Sequence, residues 1–340
     1  MQRRLHSLVA LVASALALAS CSGVQPLMAP AGPEARTLAH LGWFVLITFC
    51  IVTVVMWGLI FWVAARRRGT LAEHEPWNAP NDKRWVAVGG FLIPAIILAT
   101  IFVMTLRTLR AFPMGDAEMH MGEAAIVLTG HQWWWEVEYR LGATHEHVTT
   151  ANEIHIPAGQ PVDIELQTRD VIHSFWVPRL HGKVDLVPGI TNRIRLQADD
   201  PGLFRGECAE YCGPQHAHMI LLVQSDSPSD FDGWLAHQRQ PAVAPASAEA
   251  ERGQQVFMNS ACELCHTVRG TSARGLVGPD LTHIGSRKGL AANAYPNTTA
   301  YLEAWVTHAQ SLKPNAQMPN ITAFTGEDLR ALVTYLEGLQ

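Results

Sequence analysis

The sequence predicts a multidomain membrane protein: a two-helix transmembrane hairpin, then an all-β sandwich, then a small all-α domain. Three observations lead there. The 340 residues amount to two or three domains at ~150 residues each. Charged residues make up only 16%, against about 25% in an ordinary soluble domain, while hydrophobic residues reach 48%. Residue periodicity also changes twice along the chain, from long uncharged runs to short alternating segments and then to helical spacing.

Residues 1–21 begin with Arg3 and Arg4, continue as an apolar run over 8–19 and end in Leu18-Ala19-Ser20-Cys21, the layout of a secretory signal peptide. That ending resembles the bacterial lipoprotein cleavage box, which implies a lipidated Cys21 at the start of the mature chain. Residues 22–115 make the membrane segment. The stretch 41–65 contains no Asp, Glu, Lys or Arg and, at ~1.5 Å per residue, can span a ~30 Å hydrocarbon core. A second uncharged stretch, 85–106, contains Pro94, which neighbouring helices tolerate in a bilayer. Arg66, Arg67, Arg68, Lys83 and Arg84 lie between the two, so the positive-inside rule places that loop in the cytoplasm and both chain ends on the periplasmic side of a bacterial inner membrane. Cys50, in the middle of the first span, reads as packing.

Over 116–239 the pattern becomes short apolar and β-branched runs such as Ala125-Ile126-Val127-Leu128 and Val162-Asp163-Ile164-Glu165-Leu166, broken by Pro-Gly turns, which predicts an antiparallel sandwich or barrel. Residues 240–250 (QPAVAPASAEA) read as a semi-rigid linker. Helical patterns return in 251–340, around 250–259, 299–310 and 328–339, with Thr325 and Asp328 as a capping box for the last.

Charge divides along the same lines. Residues 1–115 carry 10 Lys+Arg against 4 Asp+Glu, 116–240 carry 8 against 18, and 241–340 carry 7 against 8, so no part has the basic excess of a nucleic-acid binder. The acidic middle suits steering of a basic soluble partner. The nearly neutral last part feels little of that pull, which leaves a linker of about ten residues at ~3.1 Å each to bring the two domains together.

Four of the six cysteines form two close pairs, a spacing that suits metal or cofactor attachment better than a disulfide framework. Cys262-Glu263-Leu264-Cys265-His266 is the C-x-x-C-H signature of c-type haem attachment, with Cys262 and Cys265 as thioethers and His266 as an axial ligand. A zinc knuckle would need a second ligand pair, and no further Cys lies nearby. An electron-carrying haem needs a sixth ligand; Met318, in Gln317-Met318-Pro319-Asn320, sits between two predicted helices, whereas Met258 falls where the first helix packs its core. Residues 249–340 resemble class I cytochromes c, both in this Met loop and in Gly278-Pro279-Asp280-Leu281. The resemblance implies that the Pro279 carbonyl orients His266.

The other pair lies in Cys208-Ala209-Glu210-Tyr211-Cys212-Gly213-Pro214-Gln215-His216-Ala217-His218-Met219. Two thiols, an imidazole and a thioether on one loop favour copper over a hard cation. A mononuclear blue-copper site uses one Cys, so the second suggests a second copper. The C-x3-C-x3-H-x2-M spacing matches the dinuclear CuA loop of cytochrome c oxidase subunit II, and His173, in Asp170-Val171-Ile172-His173-Ser174-Phe175, matches that family's upstream histidine. The resemblance implies that Cys208 and Cys212 bridge two coppers, that His173 and His216 each terminate one, and that Met219 and the Glu210 carbonyl are further ligands. It also implies that the Glu210 side chain reaches a Mg or Mn ion shared with subunit I. His218 reads as a neighbour of the site. Gly130-His131-Gln132-Trp133-Trp134-Trp135 resembles the family's aromatic stretch, which makes Trp133 the point where electrons enter CuA; Trp134 stands where Tyr is usual, and Trp134 and Trp135 also suit core packing.

The resemblance covers nearly the whole mature chain. It implies a helical hairpin, an all-β cupredoxin-like Greek-key sandwich and an all-α class I cytochrome c domain, as in subunit II of haem-copper oxidases of the cytochrome c-fused type. The implied task is to accept electrons at a covalent haem c from a soluble or membrane cytochrome c, or from a quinol-oxidising complex. They would pass through CuA to subunit I for reduction of O2 to water, with subunit III as a further partner. One departure stands out: the family's Glu about two turns before the Pro of the second helix is absent, since 85–90 holds no acid and Asp82 is nearest. Competing readings are the CuA subunit of a nitric oxide reductase and, from a different class, a membrane-anchored copper store or chaperone, which has no use for a fixed haem relay. A quinol oxidase subunit is disfavoured, because the copper ligands lost in that group are all present.

Overall fold

The computed structural model describes residues 25–66, 82–112, 125–141 and 146–340. The signal stretch with Cys21, and the loop arginines Arg67 and Arg68, lie outside the described residues.

One compact unit, Arg36–Pro113, is the membrane segment. Helix α1 (Pro33–Arg66) opens on a proline with Glu34 in its first turn, both favoured at the positive end of a helix. It therefore starts ahead of the apolar run 41–65, which hydropathy alone could not indicate. Helix α2 (Asp82–Trp85) continues through a π-helical stretch (Val86–Leu92) into α3 (Ile93–Ala111). Pro94 stands in the first turn of α3. Its missing N–H leaves a carbonyl one turn back without its usual donor, and the wider π turns just before it accommodate the mismatch. Two helices, Pro33–Ala65 and Lys83–Arg110, are long and apolar enough to cross a membrane. Cys50 occupies an exposed position on α1.

The second unit contains both remaining domains. Its strands are β1 (Ile126–His131), β2 (Trp134–Leu141), β3 (Glu146–Ala151), β4 (Glu153–Pro157), β5 (Val162–Thr168), β6 (His173–Trp176), β7 (Val184–Leu186), β8 (Asn192–Leu196), β9 (Gly202–Cys208) and β10 (Ile220–Asp226). They form two five-stranded sheets, β3-β2-β1-β5-β8 and β4-β10-β9-β6-β7. The expected antiparallel pattern needs one amendment: β1 runs parallel to β5, with Leu128 opposite Leu166, and β10 parallel to β4, with Val223 opposite Ile154. Parallel neighbours require crossovers, and a long return connection beside an earlier strand is the Greek-key device. Alternation decides which side chains enter the core: in β2, Trp135, Val137 and Tyr139 point inward and pack with Ile154, Ile164, Phe175 and Leu196.

Helix α4 (Pro228–Gln238) follows β10, unanticipated in the sequence reading; Ser227 caps it by accepting the Asp230 N–H, and Trp234 stacks on His155 with ring centroids 4.0 Å apart. The small domain holds α5 (Ala248–Met258), α6 (Cys262–Cys265), the short ribbon β11 (Gly289–Leu290) and β12 (Tyr295–Pro296), α7 (Thr299–Leu312) and α8 (Gly326–Gly338). Helices α5 and α8 cross closely at Gly253, where a Cβ would collide with the Ala331 carbonyl. Phe257, Leu302, Val306, Leu332 and Leu336 form the core around that crossing.

The segment read as a semi-rigid linker lies against the small domain. Its Ala242 N–H is bonded to the Arg269 carbonyl at 2.9 Å, and Arg269 donates to the carbonyl of Gln238, at the end of α4, at 2.6 Å. The small domain is docked on the sandwich: the Lys288 N–H meets the buried Glu153 carboxylate at 2.6 Å, and the Ile220 N–H meets the Ala292 carbonyl at 3.1 Å.

Candidate functional site

At one end of the sandwich, the close of β9 and the loop before β10 bring together the residues expected from the copper motif. Cys208 Sγ and Cys212 Sγ lie 3.8 Å apart, His173 Nδ1 is 3.8 Å from Cys208 Sγ, and His216 Nδ1 is 3.7 Å from Cys212 Sγ. Met219 Sδ stands 4.0 Å from Cys212 Sγ, and the Glu210 carbonyl oxygen 3.2 Å from Cys208 Sγ. The donor atoms of His173, Cys208 and Cys212 all fall within 4.8 Å of one another, and these three residues are buried. The Glu210 side chain is exposed. His218 turns aside, its Nδ1 bonded to Gln215 Oε1 at 2.7 Å.

The electrostatics suit cations. The contact between the two sulfurs holds Cys208 well below the usual thiol range, while Cys212 is pushed up, first by Cys208 and then by burial. Two adjacent buried thiols resist losing both protons, a cost that bound metal cations would offset. Burial works against protonation of His173, but hydrogen bonds with Asp170 and Cys208 outweigh it and raise this histidine. Asp170 Oδ1 bonds His173 Nε2 at 2.8 Å, which leaves Nδ1 as the ligating nitrogen.

Trp133 roofs this cluster. It is 7% exposed, and its indole N–H donates to the Cys212 carbonyl at 3.0 Å; Gln132 Nε2 donates to the same oxygen at 2.7 Å. Gly213, at φ +117°, lets the copper loop pass under the ring: a Cβ there would sit 2.9 Å from Trp133 Cζ2. Trp134 stacks on His131 at 4.3 Å, and Trp135 is wholly buried with its ring centroid 6.0 Å from that of His173, so the core role expected of Trp135 holds.

The second site is a cleft of about 1040 Å³ lined by Cys262, His266, Pro279 and Met318 from the small domain and by Trp133 and Trp134 from the sandwich. His266 Nδ1 donates to the Pro279 carbonyl at 2.7 Å, and burial lowers its pKa, so the ring is neutral with Nε2 free to ligate. Gly278 leaves no room for a side chain against that ring, since a Cβ would be 2.5 Å from His266 Cε1. Gln310 Nε2 holds the Met318 carbonyl at 2.7 Å and thereby the loop that carries this side chain. Met258 lies outside the cleft and packs on the hydrophobic core.

Comparison with known proteins finds a family model for each of the two domains. The family model for the periplasmic domain of cytochrome c oxidase subunit II matches residues 140–226, and the model for cytochrome c matches 250–340. Cytochrome c oxidase subunit 2 of Alkalihalophilus pseudofirmus is 34% identical over 329 residues, 96% of this chain and 94% of that protein. The chain belongs to the cytochrome c oxidase subunit II family. Its relative in Bacillus subtilis strain 168 is 28% identical across 83% of this chain and 82% of its own length. The crystallised periplasmic domain of subunit II from Bradyrhizobium japonicum aligns with a TM-score of 0.32 at 26% identity, over 35% of this chain and 96% of that one. As a subunit II with an appended cytochrome c domain, the chain is part of an oxidase; the nitric oxide reductase and copper-store readings are not favoured.

Three residues of this subunit's sites escaped the sequence reading. Asp170, three positions before His173, had a usable signal in its spacing. Arg287 lines the haem cleft with its Nε buried and lacking a hydrogen-bond partner among the described residues, and Lys313 lies buried between the domains. Nothing local in the sequence separates such buried cations from solvated ones.

Proposed function

We propose that this subunit holds a covalent haem c in the cleft and a dinuclear CuA centre on the copper loop, and passes electrons from the first through the second to subunit I. The observation that carries the proposal is Trp133, whose ring lines the haem cleft while its indole N–H is bonded to the copper loop at Cys212. The residues present fit both groups: a soft thiol, imidazole and thioether set for copper, and for haem a neutral His266, a hollow kept open by Gly278 and an unpartnered Arg287 Nε for a propionate.

When bound, the coppers and the haem supply reversible one-electron chemistry. Cys208 and Cys212 would bridge the copper pair, with His173 and His216 at its ends and Met219 and the Glu210 carbonyl as weaker donors. Cys262 and Cys265 would carry the thioethers, His266 and Met318 the axial positions, with Pro279 fixing the His266 ring. The exposed Glu210 carboxylate is free to share a Mg or Mn ion with subunit I. The two apolar helices would cross the membrane as a hairpin with Lys83 and Arg84 on the cytoplasmic side, and Cys21 would carry a lipid after signal cleavage. The physiological donor would be a cytochrome c or a quinol-oxidising complex, and subunit III a further neighbour.

Metal and haem analysis of the purified complex, with oxygen consumption, tests this. Cys208→Ser or Cys212→Ser should abolish the delocalised mixed-valence copper EPR signal and leave the haem in place, and Met318→Ala should keep the haem and lose the methionine-to-iron absorption band. A normal copper signal in either Cys variant, or an unchanged band in the Met variant, would reassign the ligands.

A further inference from the structure

Lys313 has an unusual position for a lysine. It is 3% exposed, and its ammonium donates to three backbone carbonyls: Trp133 O at 2.7 Å, His218 O at 2.8 Å and Ala291 O at 2.8 Å. An ammonium has three donors and no acceptor, so these bonds use its full capacity. The three acceptors come from three segments. Trp133 is the turn between β1 and β2, His218 belongs to the copper loop, and Ala291 belongs to the loop after β11 of the haem domain. One side chain of the haem domain thus ties the aromatic turn and the copper loop to each other and to its own domain. Burial pushes this lysine down to about 7, so the position is a poor way to gain stability compared with an apolar side chain of similar volume; what three converging carbonyls supply is specificity of geometry.

A second observation concerns the loop that Lys313 grips. Ala291, Ala292 and Asn293 all have positive φ, at 53°, 60° and 56°. Left-handed backbone is unfavourable for non-glycine residues and persists where surrounding contacts over-determine it. Here those contacts are with the copper domain: Ala292 O accepts from the Ile220 N–H at 3.1 Å, and Asn293 Nδ2 donates to Asn152 O at 2.7 Å. Gln215 Nε2 reaches back to the Pro314 carbonyl, beside Lys313, at 2.9 Å.

We propose that Lys313 is a positioning residue for electron transfer: it latches the haem domain onto the copper domain in one pose, with Trp133 fixed between the haem cleft and Cys212. The latch rests on the electron-relay reading for its purpose, though its geometry does not depend on it. The step it serves is a one-electron transfer in which the haem is oxidised and the copper centre reduced by the same electron, with no bond made or broken.

The test uses the full oxidase with Lys313→Gln and, because Gln could impair folding, Lys313→Met, which keeps the volume and removes the charge. Hydrogen exchange reports the latch without any turnover. The amides of Ile220 and of the segment 288–293 should exchange faster in the variants, while those around Leu128 and Leu332 keep their protection. Flash-induced transfer from haem to CuA should slow by about tenfold or more, in proportion to the lost population of the competent pose, and become dependent on solvent viscosity. The proposal falls if exchange and rate are unchanged in Lys313→Met, or if both Lys313→Gln and Lys313→Met lose their cofactors, since the lysine is then a folding residue. If the wild-type amides are protected across the seam but no electron passes from haem to CuA, the relay reading fails and the latch stands.

Discussion

His173 shows how much one neighbour decides. Its Nε2 is bonded to Asp170, and Asp170 Oδ2 also accepts the Gln132 N–H at 2.6 Å, so a single carboxylate sets the tautomer of a proposed copper ligand and anchors the turn that carries Trp133. Partners of metal-bound histidines commonly contribute about 10–100-fold in metal affinity. Asp170→Asn should therefore lower copper retention by about that factor in a chelator competition and leave the haem content unchanged; equal retention would mean that the ring is held by packing against Trp135 alone. The clustered candidate donors were legible because their motifs are local: C-x-x-C-H and C-x3-C-x3-H-x2-M place them on one turn or loop, where spacing in sequence is spacing in space, whereas His173 and Met318 lie far from these motifs and needed the family resemblance or the helix pattern. Lys313 and Arg287 were not legible, since their burial is made by residues far away along the chain.

At the scale of elements, capping is the recurrent device. Ser227, Ser247, Thr298 and Thr325 each accept the backbone N–H three residues on, at the starts of α4, α5, α7 and α8. Thr325 is the one the sequence announced, and it also donates to Asp328 Oδ2 at 2.7 Å. Replacing such a cap by Ala costs about 1 kcal/mol, within a range of about 0.5–2. Thr325→Ala should lower the denaturant midpoint of the haem domain, followed at the haem absorption, by an amount equivalent to that loss, with the copper signal unaffected; an unchanged midpoint would show that the α5–α8 packing alone holds the helix start. Helix α4 was missed because its cap is its main signal and its apolar face is weak. The parallel pairing of β1 with β5 and of β4 with β10 was missed for another reason: alternation tells which face of a strand is buried and nothing about which strand lies beside it.

At the scale of the whole chain, the sequence suggested two domains brought together by a semi-rigid linker, and the structure shows them docked. The linker was legible as a composition, but its bond to Arg269 and the seam at Glu153, Asn152 and Ile220 pair residues of separate segments, those of Glu153 with Lys288 and of Asn152 with Asn293 more than a hundred positions apart. The seam is made chiefly of hydrogen bonds to backbone groups, and hydrogen bonds of this kind lose little when salt screens charge over the ~10 Å Debye length at 0.1 M. The central claim is that electrons move from haem to CuA inside one docked chain, and rapid photochemical reduction of the haem with absorbance followed at CuA tests it most directly. Reduction of CuA should be first-order, independent of protein concentration and little changed between low and high salt. A rate that scales with protein concentration, or no reduction of CuA with both cofactors loaded, would contradict it.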